Sequence, residues 1–235
     1  MTNPIQAYTK AAAVLLLLSL LAGGFGEFYV PNKLIVSGDG AATANNFTAY
    51  GPLFRLGFAS YLVEALCDVS LSLIFYVLLR PVGRGLALLA AFFGLVSTAT
   101  FAIAELFYFS ASHIAAGAGY LRAFSPEQVS ALLLLALKVS GYCAGLFLVF
   151  HGVASIIRGY LIVRSGYLPK FLGALLLLGG FGFVTKSFTL VLASSYSSPF
   201  LLLPMIIAML SLTLWLFVRG VDVPKWEEKA AAATG

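Results

Sequence analysis

The stretch FRLGFASYLVEALCDVSLSLIFYVLLR, from Phe54 to Arg80, decides how the rest of this chain is read. It is long and apolar enough to cross a hydrocarbon layer ~30 Å thick as a single helix. Yet it carries Glu64 and Asp68 in its interior, with Arg55 and Arg80 at its two ends. A carboxylate near the centre of a membrane helix costs about 2.5–3.5 kcal/mol on insertion scales, so one that is kept there faces protein, water or a counter-charge. Glu64 and Asp68 stand one turn apart and share a face. Arg55 points to roughly the opposite side, where it pairs with another helix or snorkels to the interface.

The flanking sequence repeats the pattern of long apolar runs. Of 235 residues, 61% are hydrophobic and 10% charged, and the mean hydropathy of +1.00 is far from that of soluble domains. The expected spans are about 11–30, 54–80, 86–110, 126–157, 169–192 and 200–218, with an extension of the fourth to Arg164 left open. This is an all-α, polytopic membrane protein with six transmembrane helices in one domain. The first span is kept as a helix rather than read as a cleaved signal, because everything downstream is also membrane-like. Pro31 is expected to end it. Residues 32–52 form a loop rich in turn formers, with a short helix allowed at Ala41-Ala-Thr-Ala44. Ser125-Pro126-Glu127 marks a helix start. The polar, Ala-rich tail from 220 to 235 is expected to fray.

A net charge of +5 invites the idea of a nucleic-acid partner, but the basic residues are scattered singly between apolar runs instead of forming a stripe. The expected partner is the lipid bilayer, and no nucleic acid. The termini and even-numbered turns carry Lys10, Arg80, Arg84, Arg158, Arg164, Lys170, Arg219, Lys225 and Lys229, against Lys33 and Arg122 in the opposite loops. By the positive-inside rule both termini are expected in the cytoplasm. Cys67 and Cys143 lie in apolar runs without metal or redox spacing and read as buried thiols.

Two echoes recur. Tyr76–Arg80 and Tyr160–Arg164 each end an apolar run as an interfacial Tyr/Arg anchor. Gly23-Gly-Phe-Gly26 and Gly179-Gly-Phe-Gly182 provide small residues that let helix backbones approach in lipid.

Counting depth at ~1.5 Å per residue from the outer end gathers most intramembrane charge in the outer half. Four carboxylates, Glu27, Glu64, Asp68 and Glu105, meet three bases, Arg55, Lys138 and Lys186. Depth alone pairs Glu27 with Lys186 and Glu64 with Lys138. His151 lies deeper, on the fourth span. Nothing in the chain matches a metalloprotease, triad, P-loop or dinucleotide motif, so no metal and no cofactor is expected.

The chain resembles the DUF4386 family of bacterial integral membrane proteins, a domain of unknown function. The resemblance covers nearly the whole chain. It rests on Leu34-Ile-Val-Ser-Gly-Asp39 with Ala42-Thr43-Ala44, Leu53-Phe-Arg55-Leu-Gly-Phe58, Cys67-Asp68 with Tyr76-Val-Leu-Leu-Arg-Pro81, Leu86–Phe92, and Gly159-Tyr-Leu-Ile162 followed by Ser165-Gly-Tyr-Leu-Pro169 and Leu172-Gly173. His151 stands where the family tends to carry a His. The sequence departs at Phe93–Ser97, which lacks an Arg and a nearby Glu expected after the Ala-Ala-Phe stretch. The resemblance implies six membrane helices, a multi-pass location in the bacterial cytoplasmic (inner) membrane, and attention to Asp39, Thr43, Arg55, Asp68 and His151. It implies no activity.

Three functional readings stay open. One is small-molecule binding or proton-coupled transport through an outward-facing polar cluster of Glu64, Asp68, Lys138, Arg55, Glu27, Glu105, Lys186 and His151, taking a small polar or lipid ligand. Another is an intramembrane lipid-modifying enzyme using His151 or the Glu64/Asp68 pair. The third is a non-catalytic accessory or sensory subunit whose charges set helix register. The small size favours a homodimer or hetero-complex.

Overall fold

The structure is a computed structural model and describes residues 4–233. Six helices are long and apolar enough to cross a membrane: α1 (Pro4–Leu34), α3 (Gly51–Leu79), α4 (Arg84–Ala115), α5 (Pro126–Ser165), α6 (Lys170–Leu192) and a sixth over Pro199–Val218, whose α-helical part α7 is Leu203–Val218. Two short helices complete the set, α2 (Gly40–Ala49) and α8 (Val223–Ala232). The chain is an all-α, multi-pass integral membrane protein. Many large apolar side chains, Leu66, Leu106, Leu214 and Val218 among them, point outward, as helices solvated by lipid tails require.

One boundary differs from the sequence reading for a physical reason. Pro31 does not end α1. The six residues before Val30, Gly24–Tyr29, form a π-helical turn, and Val30 N–H donates to Phe25 O. This wider turn shifts the backbone register ahead of a residue that has no N–H to give and whose ring crowds the carbonyl four residues back. The fourth span goes past 157, as the open extension to Arg164 allowed: α5 reaches Ser165, which puts Arg158 inside a helix rather than in a turn.

The chain divides into two compact units. The first comprises residues 1–18, 66–98 and 145–235, and the second 19–65 and 99–144. Helices α1, α3, α4 and α5 contribute to both.

The first unit packs α5 against α6 through glycines. A Cβ on Gly152 would stand 2.8 Å from Gly180 O, one on Gly180 2.6 Å from Gly152 O, and Gly159 and Gly173 repeat this reciprocity at 2.7 and 2.6 Å. Such contacts bring two backbones together and bury area without side-chain entropy. The tail expected to fray forms α8 instead and docks on the same unit. Asp222 caps it by accepting from Lys225 N–H, and Trp226 is buried. Trp226 Nε1 and Tyr167 Oη donate to Leu78 O at 2.9 and 2.7 Å, and Lys229 Nζ donates to Arg164 O at 2.9 Å. The last carbonyls of α3 and α5 have no partner within their own helices, and these donors satisfy two of them. Residues 234 and 235 of that tail lie outside the described residues.

The second unit has an aromatic core. Phe54 meets Phe47 and Tyr108 at ring-centroid distances of 5.3 and 5.4 Å, and Phe58 meets Phe109 at 4.7 Å. Val30 of α1 packs against Gly57 of α3, and Gly26 lies over Gly57 O.

Candidate functional site

Each unit holds its own polar constellation. In the first, α3 presents Asp68, Ser72 and Phe75 at i, i+4 and i+7, and α5 presents His151, Ser155 and Arg158 at the same spacing. Such spacing puts three side chains on one helix face. All six line a chamber of about 40 Å³ together with Gly94 and Thr98 of α4 and apolar side chains of α1, α6 and α7. Arg158 Nη2 donates to Ser72 Oγ at 3.4 Å, and its guanidinium lies 5.3 Å from the Phe75 ring centre. Asp68 and His151 both lie within the electrostatic reach of that guanidinium. The His151 ring rests against Phe147 and Phe183 at 5.3 and 5.7 Å.

Gly94 makes room for this arrangement, since a Cβ there would stand 2.6 Å from Ser72 Oγ and 2.7 Å from Arg158 Nη2. It belongs to the Phe93–Ser97 stretch that lacks the expected Arg and Glu. Arg158 was counted among the topology charges, so the reading by depth missed it. The signal that could have found it is the repeat of 68/72/75 at 151/155/158.

In the second unit, Glu27 from the π turn of α1 lies within the electrostatic reach of both Glu105 from α4 and Glu64 from α3. Glu105 is buried at 7% exposure. Glu64 is seated over Gly23, where a Cβ would meet its Oε1 at 2.7 Å. Tyr108, one turn after Glu105 and also unremarked in the sequence, places its hydroxyl within reach of the Glu105 and Glu27 charges. Its Oη is buried and has no hydrogen-bond partner among the described residues.

The remaining candidates fall elsewhere. Lys138 is exposed on α5, whereas Glu64 is half-buried over Gly23. Glu27 and Lys186 belong to different units. Arg55 is exposed and lines an open groove of about 650 Å³ with His113, Thr48 and Phe109. Asp39 caps α2 by accepting from Ala42 N–H at 2.9 Å. Thr43, fully buried, accepts from Val36 N–H and donates to Asp39 O, clipping the loop before α2. Both residues of the outer-loop motif thus hold structure. Among the described residues, no three His, Cys, Asp or Glu side chains gather closely enough to hold one metal ion.

Residues 11–220 match the sequence model of a family described as a domain of unknown function, DUF4386. The chain belongs to the DUF4386 family. A relative from Archaeoglobus fulgidus, an uncharacterized protein, is 26% identical over 119 residues, covering 50% of this chain and 56% of its own length. The DUF4386 chain therefore spans little more than half of that relative. No solved structure matches it. The DUF4386 match covers all eight residues of the polar cluster expected from sequence, and Arg158 and Tyr108 besides.

Proposed function

We propose that this DUF4386 protein binds and carries a proton or small cation at the carboxylates of its second unit. The observation that carries the reading is the meeting of Glu27, Glu64 and Glu105, from three helices, near the Tyr108 hydroxyl, which has no hydrogen-bond partner among the described residues. Like charges held together in a poorly polarisable bundle repel strongly, and a shared proton or a bound cation relieves that repulsion. Intramembrane acids gathered in this way serve ion and proton pathways. The distribution of basic residues supports termini in the cytoplasm.

The test uses proteoliposomes loaded with a pH dye, in which proton and sodium flux is followed after an imposed gradient. Wild-type protein is expected to carry one of these ions in a pH-dependent manner. Glu105→Gln and Glu64→Gln are expected to abolish that flux while the protein still inserts and elutes as a folded species. Flux unchanged in both variants overturns the proposal. The lipid-enzyme reading has less support, because the chamber of about 40 Å³ that His151 lines is too small for an acyl chain.

A further inference from the structure

The chamber of the first unit contains donors that its own side chains leave idle. Arginine offers five N–H donors in a rigid fork. Of those on Arg158, Nη2 reaches Ser72 Oγ at the long distance of 3.4 Å, and Nε has no hydrogen-bond partner among the described residues. The Ser72 hydroxyl hydrogen is committed to Asp68 O at 3.0 Å, so Ser72 has none to donate into the chamber. Ser155, at 2% exposure, enters no hydrogen bond among those described, and it lines the same space as Arg158 and His151. Burying polar groups without partners is costly. The buried, unpartnered Nε of Arg158 and the idle hydroxyl of Ser155 lie on one stripe of α5, with Gly94 cleared to admit the guanidinium.

Size and charge narrow the occupant. About 40 Å³ admits a few heavy atoms. The titratable groups lining the chamber are Asp68 on α3 and His151 and Arg158 on α5. The other elements contribute only Leu16 from α1, Gly94 and Thr98 from α4, Leu176 from α6 and three apolar residues of α7. With Arg158 cationic and Asp68 anionic the chamber is balanced, so an entering anion would leave a net negative charge away from water unless a proton enters with it.

We infer that the chamber is a binding site for a small monovalent anion of the size of chloride, nitrate or formate, held by Arg158 with Ser155 and His151 and taken up with a proton on Asp68. This goes beyond the carboxylate reading and is independent of it, since it rests on other residues in the other unit.

The experiment titrates the full chain in lipid nanodiscs with sodium nitrate, chloride or formate from pH 5 to pH 8, with sodium gluconate, too large to enter, as the ionic control. Binding is read by calorimetry and by the melting midpoint. The wild type is expected to bind one or more of the small anions and not gluconate, with affinity falling up to about tenfold per pH unit as the proton is lost. Arg158→Gln is expected to abolish binding and Arg158→Lys to weaken it about tenfold, because a point charge replaces the fork. Asp68→Asn is expected to keep anion binding but flatten its pH dependence, whereas His151→Gln keeps the dependence. A wild type that responds to small anions no differently from gluconate at every pH overturns the inference and leaves a chamber that holds water alone. Persistence of the full pH dependence in Asp68→Asn overturns the proton assignment. Should Arg158→Gln fail to fold, the wild type and Asp68→Asn still decide the matter.

Discussion

The two units handle intramembrane charge in opposite ways. The first mixes signs: Asp68 and Arg158 line one chamber with His151 and hydroxyls, and the surrounding helices are locked by backbone-to-backbone glycine contacts. The second gathers one sign: three glutamates beside a tyrosine hydroxyl, near an aromatic core. A chamber holding both signs has its charges balanced and is disturbed least by a neutral set of ions. A like-charged cluster is relieved by a single cation or proton. The difference teaches that the count of buried charges says little until their grouping is known.

Substitutions can break or sharpen that contrast. The largest effect is expected from glycine packing. Gly173→Val brings a Cβ to 2.6 Å from Gly159 O and 2.8 Å from Val163 N, backbone atoms that cannot yield, so a loss of about 3 kcal/mol is expected. Gly23→Ala in the second unit meets only the flexible end of Glu64 and should cost about 1 kcal/mol. Equal losses in an unfolding titration would erase the distinction between a rigid and a yielding contact.

Next comes Thr43→Val, which strands Val36 N–H and should cost about 2 kcal/mol. Faster amide exchange is expected over residues 36–49 with the first unit unaffected, and global loosening would contradict it.

Tyr167→Phe is expected to cost about 1 kcal/mol, since Trp226 still donates to Leu78 O. Burial pushes the Tyr167 phenol well above its usual range. A raised value in the folded state means that its contribution is complete below about pH 10, the unfolded value, and is lost as pH rises through the folded one. The wild type should therefore lose stability in strong alkali by more than Tyr167→Phe does, which paired melts at rising pH will reveal.

Smallest of all is Asp222→Asn. Hydrogen bonds from Lys225, side chain and backbone, hold the Asp222 carboxyl below its ordinary range. Its contribution is thus present above the ordinary aspartate value and is lost as pH falls through the lowered one. The pair is exposed, so only a slight shift in the acid melting profile is expected.

How much of this was legible beforehand depends on the residue. Glu27, Glu64 and Glu105 were singled out from composition against an apolar background, and they do come together. Lys138 was assigned to Glu64 by depth, yet depth along a helix is counted at ~1.5 Å per residue, whereas the direction of a side chain around the axis is set by which neighbours the helix packs on. Arg158 was missed because hydropathy drops after Ile157 and a basic residue there reads as an anchor. The helix itself does not stop where the apolar run stops. The tail from 220 looked too polar to be ordered, but a cap at Asp222 and the docking of a single tryptophan were enough to hold it.

The sequence by itself determined the class: six apolar helices in an all-α membrane protein, because span length and hydropathy are local properties that the bilayer reads directly. The continuation of α1 through Pro31, the division into two units, and the placing of Asp68 and Arg158 on one chamber were decided only in the tertiary structure. Each depends on how helices rotate and pack against one another, and glycines such as Gly94 and Gly173 act there by what they leave empty.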